Sequence, residues 1–159
     1  MYIYDKLGGE GGMTMLKEMT FTDARYNLTE VIDKSLQFQP TIIRPRKKSE
    51  DGNIVMRLGM LRTLLDDLEA PEKIAIEFFQ EEDGSVTLSI DPFEIVLNEP
   101  TREKAIESAV NEVIDYAKDY LNEFSLYHNS KNRRSHFAHV IKILLCDTKE
   151  QVAELIGIA

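Results

Sequence analysis

The chain of 159 residues has one cysteine, Cys146, which rules out an internal disulfide and any multi-thiolate metal site. It has no apolar run near the roughly 18 residues that a membrane helix requires. The opening MYIYDKLGGEGGM has neither a basic n-region nor an apolar h-region, which argues against secretion. A phosphate-cradling loop is also missing. Gly8-Gly9-Glu10-Gly11-Gly12 has no preceding strand and no following Lys-Ser/Thr. The zinc-helix spacing His-Glu-x-x-His does not occur. Positive charge is scarce, with 19 Lys and Arg against 28 Asp and Glu, a net of −9. What is present is a 43% hydrophobic fraction, enough for a packed core. The expectation is a soluble cytoplasmic protein with no membrane partner. At face value the charge also argues against nucleic-acid binding.

Charge is unevenly distributed. A leucine-rich helical pattern ends at Glu69-Ala70-Pro71, and a strand pattern follows. Residues 1–70 hold 10 Lys or Arg and 11 Asp or Glu, whereas residues 71–159 hold 9 and 17, nets of −1 and −8. The dense basic run Arg44-Pro45-Arg46-Lys47-Lys48 lies in the first part. The pattern predicts a near-neutral module with a cationic edge, residues 15–70, joined to an acidic module, residues 71–159. The glycine-rich residues 1–14 read as a flexible lead-in, with Met13 or Met15 as an alternative start.

In the first module, residues 16–21 read as a strand, and Thr22 reads as an N-cap followed by Asp23 at the positive end of the helix dipole. Ala24, Leu28, Val31, Ile32 and Leu36 mark one face of a helix of about four turns, ended by Pro40. Strands are predicted over 41–44 and 54–58, joined by a turn containing Asp51-Gly52. Met60, Leu61, Leu64, Leu65 and Leu68 then make a second amphipathic helix, giving the order β-α-β-β-α. Arg25 stands in the first turn of its helix, where the macrodipole disfavours a cation. Either it reaches into solvent or salt-bridges Asp23 or Glu30, or it joins the free N–H groups in facing an anion such as DNA phosphate.

The segment Met19-Thr20-Phe21-Thr22-Asp23-Ala24-Arg25-Tyr26-Asn27-Leu28 resembles the opening of Phd/YefM-type antitoxins, which carry Ser/Thr-x-Ala-Arg-x-Asn-Leu at the start of their first helix. The likeness continues through Val31-Ile32-Asp33, Pro40-Thr41-Ile42-Ile43-Arg44, the hairpin and the leucine-bearing second helix, over about residues 15–68. It implies a symmetric homodimer whose N-terminal modules bind operator DNA, and a C-terminal tail that wraps a toxin, commonly a small ribonuclease. It also implies autoregulation of the operon. By position, Arg25 and Asn27 would face DNA at the helix start, and Arg44 and Arg46 would supply phosphate or groove contacts. Lys47 and Lys48 extend that run but have no clear counterpart, because this hairpin is longer than the family's usual turn. The family's C-terminal part is typically a short tail, whereas here about 90 residues with their own core follow.

In that second part, residues 73–79 and 85–90 alternate as strands around Glu81-Glu82-Asp83-Gly84, and 93–97 reads as a third strand after Asp91-Pro92. Thr101 caps a long helix whose apolar positions run from Ala105 to Phe124 at a 3.6-residue period. Glu103, Glu107, Glu112, Asp115, Asp119 and Glu123 decorate the rest of it, as a solvated face or as a nucleic-acid mimic towards a basic toxin. A polar segment, 127–134, precedes a helical pair, with Thr148 to Gln151 fitting a capping box and Gly157 a stop. This element order is loosely similar to the HicB-type antitoxin domain. The expected fold is therefore α+β: a β-α-β-β-α antitoxin-like module, then an antiparallel sheet, one long helix and a C-terminal helical pair.

Catalytic chemistry has little support. His136 and His139 are spaced i, i+3, compatible with metal ligation, but they flank the polar side of the Phe137/Val140/Ile141/Leu144 stripe and read as surface histidines. Cys146 ends an apolar run and reads as a small buried hydrophobe. Asp83, Asp91 and Glu94 sit at strand ends, where turn chemistry explains them. The reading is a non-enzymatic antitoxin without cofactor that binds DNA through Arg25, Asn27, Arg44, Arg46, Lys47 and Lys48. Two alternatives stand beside it: an orphan dimeric interaction or regulatory module without DNA binding, whose C-terminal domain recognises a protein or small ligand, and a metal-dependent hydrolase using His136 and His139.

Overall fold

The computed structural model describes residues 16–68 and 72–158, so the glycine-rich lead-in and Glu69-Ala70-Pro71 lie outside the described residues. The fold is α+β, with seven α-helices and two three-stranded sheets among the described residues. Packing divides the chain between Leu61 and Arg62.

In the first unit, β1 (Lys17–Met19) leads into α1 (Phe21–Tyr26) and α2 (Leu28–Leu36), and then into β2 (Thr41–Ile43) and β3 (Asn53–Val55). The helical crossover lets β1 and β2 run parallel, with Lys17 opposite Thr41 and Met19 opposite Ile43. The hairpin makes β2 and β3 antiparallel, with Thr41 opposite Val55. The N-cap is Thr20, not the expected Thr22. Its hydroxyl accepts from the Asp23 N–H at 3.1 Å and donates to the Asp23 carboxylate at 2.6 Å. Phe21 therefore opens the helix instead of ending the strand.

The expected four-turn helix is interrupted at Asn27. Both its backbone N–H (2.9 Å) and its side-chain amide (3.0 Å) donate to the Asp23 carbonyl, the local competition that makes Asn a poor interior helix residue. At the other end of α2, Phe38 takes the left-handed conformation, φ 60°. Phe38 N–H bonds to the Ser35 carbonyl and Gln39 N–H to the Lys34 carbonyl, the pattern that usually places glycine at this position. Holding a residue with a Cβ there costs about 1–2 kcal/mol. The apolar stripe expected to face the core does so only in part. Ala24 and Val31 are buried, whereas Leu28, Ile32 and Leu36 are exposed.

α3 (Leu58–Asp67) begins in the first unit and ends in the second. Leu58 opens this helix; it does not close the preceding strand as expected. The second unit continues with β4 (Ala75–Gln80), β5 (Val86–Asp91) and β6 (Ile95–Glu99), an antiparallel meander in that order. Gly84, at φ 87°, makes the turn between β4 and β5. The third strand starts later than expected, because Phe93 and Glu94 form the turn after Pro92 and Phe93 is buried in the core.

Thr101 caps α4 (Arg102–Asn122) by accepting from the Lys104 N–H at 3.2 Å. Ala105, Ala109, Val113, Ala117 and Tyr120 recur at helical spacing and are all buried, packed in one core with Leu88 and Ile90 of β5. The helix stops at Glu123, so Phe124 and Tyr127 belong to a separate helix, α5 (Phe124–Asn129). A 3₁₀ turn (Arg134–His136) leads to α6 (Phe137–Leu144) and α7 (Lys149–Ile156). The capping box at Thr148 and Gln151 is formed, and Gly157, at φ 85°, ends α7.

Leu88 is 0% exposed on the central strand and Val96 67% exposed on the edge strand β6. Leu88→Ala is expected to lower unfolding free energy by about 2–5 kcal/mol. Val96→Ala should lower it by less than about 1 kcal/mol. Chemical denaturation of the two variants checks the contrast.

Candidate nucleic-acid interface

The six residues singled out in the sequence are all exposed in the first unit. Because α1 ends at Tyr26, Arg25 occupies its last turn and not its first, where the carbonyl-rich end of the helix favours a cation. Its guanidinium donates to the Tyr26 hydroxyl at 3.0 Å, and its carbon lies 4.8 Å from the Tyr26 ring centre. Neither expected salt bridge, to Asp23 or to Glu30, is formed. Glu30 instead bridges Lys17 (2.6 Å) and Lys34 (2.7 Å), and these two ammonium groups pull its carboxyl down to about 2. Asn27 is committed to the helix break through its amide.

The basic run leaves the end of β2 and is brought back towards the start of α1. Arg44 donates its Nε to the Glu18 carboxylate of β1 at 2.7 Å and pairs with it through Nη2 as well. Arg46 lies over the ring of Phe21, the first residue of α1, at 4.4 Å. Lys47 pairs loosely with Glu50 at 3.7 Å. Lys48 makes no hydrogen bond or ion pair with a described residue. The fold thus joins the cationic run to the β1–α1 junction through Glu18 and Phe21. Sequence reasoning missed both tethers. Only a cross-strand partner search for Arg44 would have pointed to Glu18.

The histidines are where expectation and structure differ most. His136 is 1% exposed and His139 7%, so they are core residues and not surface ones. His139 donates from Nε2 to the Glu72 carbonyl at 2.7 Å. His136 Nδ1 is hydrogen-bonded to the Tyr116 hydroxyl at 2.6 Å, its ring meets Phe93 edge-on at 5.4 Å, and its Nε2 is buried without a protein partner. Burial pushes the Tyr116 hydroxyl up to about 12 and holds His136 below the usual imidazole range. Among the described residues no three His, Cys, Asp or Glu side chains are grouped to hold a metal.

Cys146 is half-buried, its thiol donates to the Lys142 carbonyl at 3.4 Å, and burial raises its pKa. Asp83 is held by turn chemistry, accepting from the Ser85 N–H at 2.9 Å and hydroxyl at 2.6 Å. An open groove of about 500 Å³ in the second unit is lined in part by Arg62, Leu65, Asp66, Lys142 and Asp147. Its cations are already engaged: Arg62 donates to the Leu145 carbonyl at 2.7 Å and Lys142 pairs with Asp66 at 3.8 Å. No helix among the described residues is long and apolar enough to cross a membrane.

The sequence profile of the PHD-like family, described as the antitoxin of RelE/RelB toxin–antitoxin systems, matches residues 15–158. The chain belongs to that family. The match spans both units. The chain is also similar to a crystal structure from Syntrophomonas wolfei subsp. wolfei, described as the antitoxin part of a candidate toxin/antitoxin system. The two share 27% identity at a TM-score of 0.66, covering 88% of this chain and 96% of that one. No curated protein matches the chain.

The depressed pKa of buried His136 has a consequence for stability. Unfolded, this imidazole takes up a proton near pH 6.5, whereas folded it does not until lower pH. Its contribution is therefore present above about pH 6.5 and is lost as pH falls towards the folded value. Urea unfolding at pH 7, 6 and 5 should show falling stability, and His136→Leu should flatten that dependence.

Proposed function

We propose that this antitoxin is of the Phd/YefM type, binds operator DNA as a homodimer through its first unit, represses its own operon and neutralises a small ribonuclease-like toxin. The observation that carries this reading is the exposed cationic edge from Arg44 to Lys48, tethered at Glu18 and Phe21 beside the helix junction bearing Arg25 and Asn27. Two such edges in a symmetric dimer would meet phosphates on both sides of an operator. Charge supports the division of labour. Residues 1–61 hold nine Lys or Arg and eight Asp or Glu, whereas residues 62–159 hold ten and twenty. The net acidity of the second unit suits a basic ribonuclease. On this reading the protein is regulatory and not catalytic.

Dimerisation is supported by the exposed apolar row of α2. Leu28, Ile32 and Leu36 are spaced i, i+4, i+8, so they line one face, and exposed Phe38 follows them. Such a row on a unit with few buried side chains fits an interface between two copies.

A second reading, a dimeric interaction module without DNA binding, is favoured by the engagement of the cations. Arg44 is paired with Glu18, Lys47 with Glu50, and the Asn27 amide is committed to Asp23. A mobility-shift assay on the protein's own promoter separates the two. Operator binding is expected, with Arg25→Ala and Arg44→Ala each weakening it at least fivefold, about 1 kcal/mol or more. Absent or sequence-independent binding at moderate salt would remove the DNA-binding reading and favour the second.

The dimer is tested separately. Ile32→Asp should convert it to a monomer in sedimentation analysis, because a carboxylate would be buried unpaired at the interface.

A further inference from the structure

Acidic residues are absent from residues 124–146, although the second unit carries twice as many acidic as basic side chains. Within that stretch, Lys131, Arg133 and Arg134 fall in the turn between α5 and α6. The turn is wound helically: the Ser130 carbonyl accepts from both the Arg133 and the Arg134 N–H at 3.1 Å. Lys131 and Arg134 are three residues apart in this winding, the spacing that places side chains on one face of a helical turn.

The turn is fastened to the core. The buried Tyr120 hydroxyl donates to the Arg133 carbonyl at 3.0 Å, and the Arg133 guanidinium lies 4.8 Å from the centre of the Tyr127 ring. The side chains of Lys131 and Arg134 are exposed and form no hydrogen bond or ion pair with a described residue. This contrasts with the first unit, where Arg44 and Lys47 have carboxylate partners.

Next to these free cations is an aromatic surface that the fold leaves partly open. His128 stacks on Phe124 with ring centres 4.8 Å apart and planes 14° from parallel. Phe124 is itself exposed, Leu126 is 62% exposed, and the amides of Asn129 and Asn132 are at the surface. Both rings also meet Phe137 edge-on, at 5.2 and 5.5 Å, so the pair is held against the core while Phe124 stays 39% exposed. Cations without counter-ions beside a rigid, part-exposed aromatic pair suit a phosphodiester strand with unstacked bases. Phosphates take the charge and a base lies on the ring. A duplex offers the phosphates but keeps its base faces inside.

We propose that α5 and the turn at 130–134 form a binding surface for single-stranded nucleic acid, RNA being its abundant cellular form. This surface is independent of the operator-binding edge argued above for the first unit.

The test is fluorescence anisotropy of the full chain with a labelled 20-nucleotide polyuridine RNA, a polythymidine DNA and a non-operator duplex of equal length in 50 mM salt. Both single strands should bind more tightly than the duplex, and the tighter of the two names the natural source. Lys131→Glu combined with Arg134→Glu should weaken single-strand binding at least tenfold without changing the thermal unfolding midpoint. Loss of two phosphate contacts should also reduce the salt slope by about 1.4. Lys73→Glu combined with Lys104→Glu, the same charge change elsewhere on the unit, should leave affinity within twofold. No single-strand binding, tighter duplex binding, or equal losses in the two double variants would overturn the proposal.

Discussion

The second unit depends on how closely α4 can approach β5. Ala105, Ala109, Val113 and Ala117 fall on one face every four residues, and each is fully buried in the core that also holds Leu88 and Ile90. Small side chains on the helix leave room for the large ones of the sheet, which is how a helix–sheet interface reaches interior packing density. The later elements are built on the same helix. Tyr116 receives His136, Tyr120 fastens the turn before α6, and Val113 and Ala117 share the core with Val140 and Val152. Among the described residues, the first unit has no comparable interface. Ala24 and Val31 are its buried apolar side chains, and Leu28, Ile32 and Leu36 remain exposed. A unit built this way has strong reason to pair, and the proposed homodimer supplies the missing burial.

Charge follows the same division. The net of −9 argues against nucleic acid only when it is treated as uniform. The first unit is close to neutral and carries four of its nine cations in the run at 44–48. The second is strongly acidic except over residues 124–146. Membership in an antitoxin family implies a toxin partner, and the proposed operator binding assigns the cationic edge a separate one. Field segregation of this kind directs each partner to its own face more than it raises affinity.

Elements whose signal is local were legible in the sequence. The alanine and valine period of α4, the cap at Thr101 and the capping box at Thr148 and Gln151 each depend on residues within a turn of one another. The helix break at Asn27 was not legible, because it turns on whether one amide bonds its own backbone or leaves it alone. The histidines were misplaced for a different reason. Their burial is set by Tyr116 and by the Glu72 carbonyl, 20 and 67 positions away. The candidate interface was legible as a set of residue types but not as an arrangement. Arg44 meets Glu18 across 26 residues, and Arg46 meets Phe21 only because β1 and β2 are parallel.

The central claim is that the first unit meets DNA through the α1 junction and the β2–β3 loop. Hydrogen-exchange mass spectrometry of the full chain, with and without its own promoter fragment, tests this most directly. Slowed exchange in peptides covering 20–28 and 43–52, with the second unit unchanged, is the expected result. Slowed exchange confined to the second unit, or none anywhere at saturating DNA, would contradict it.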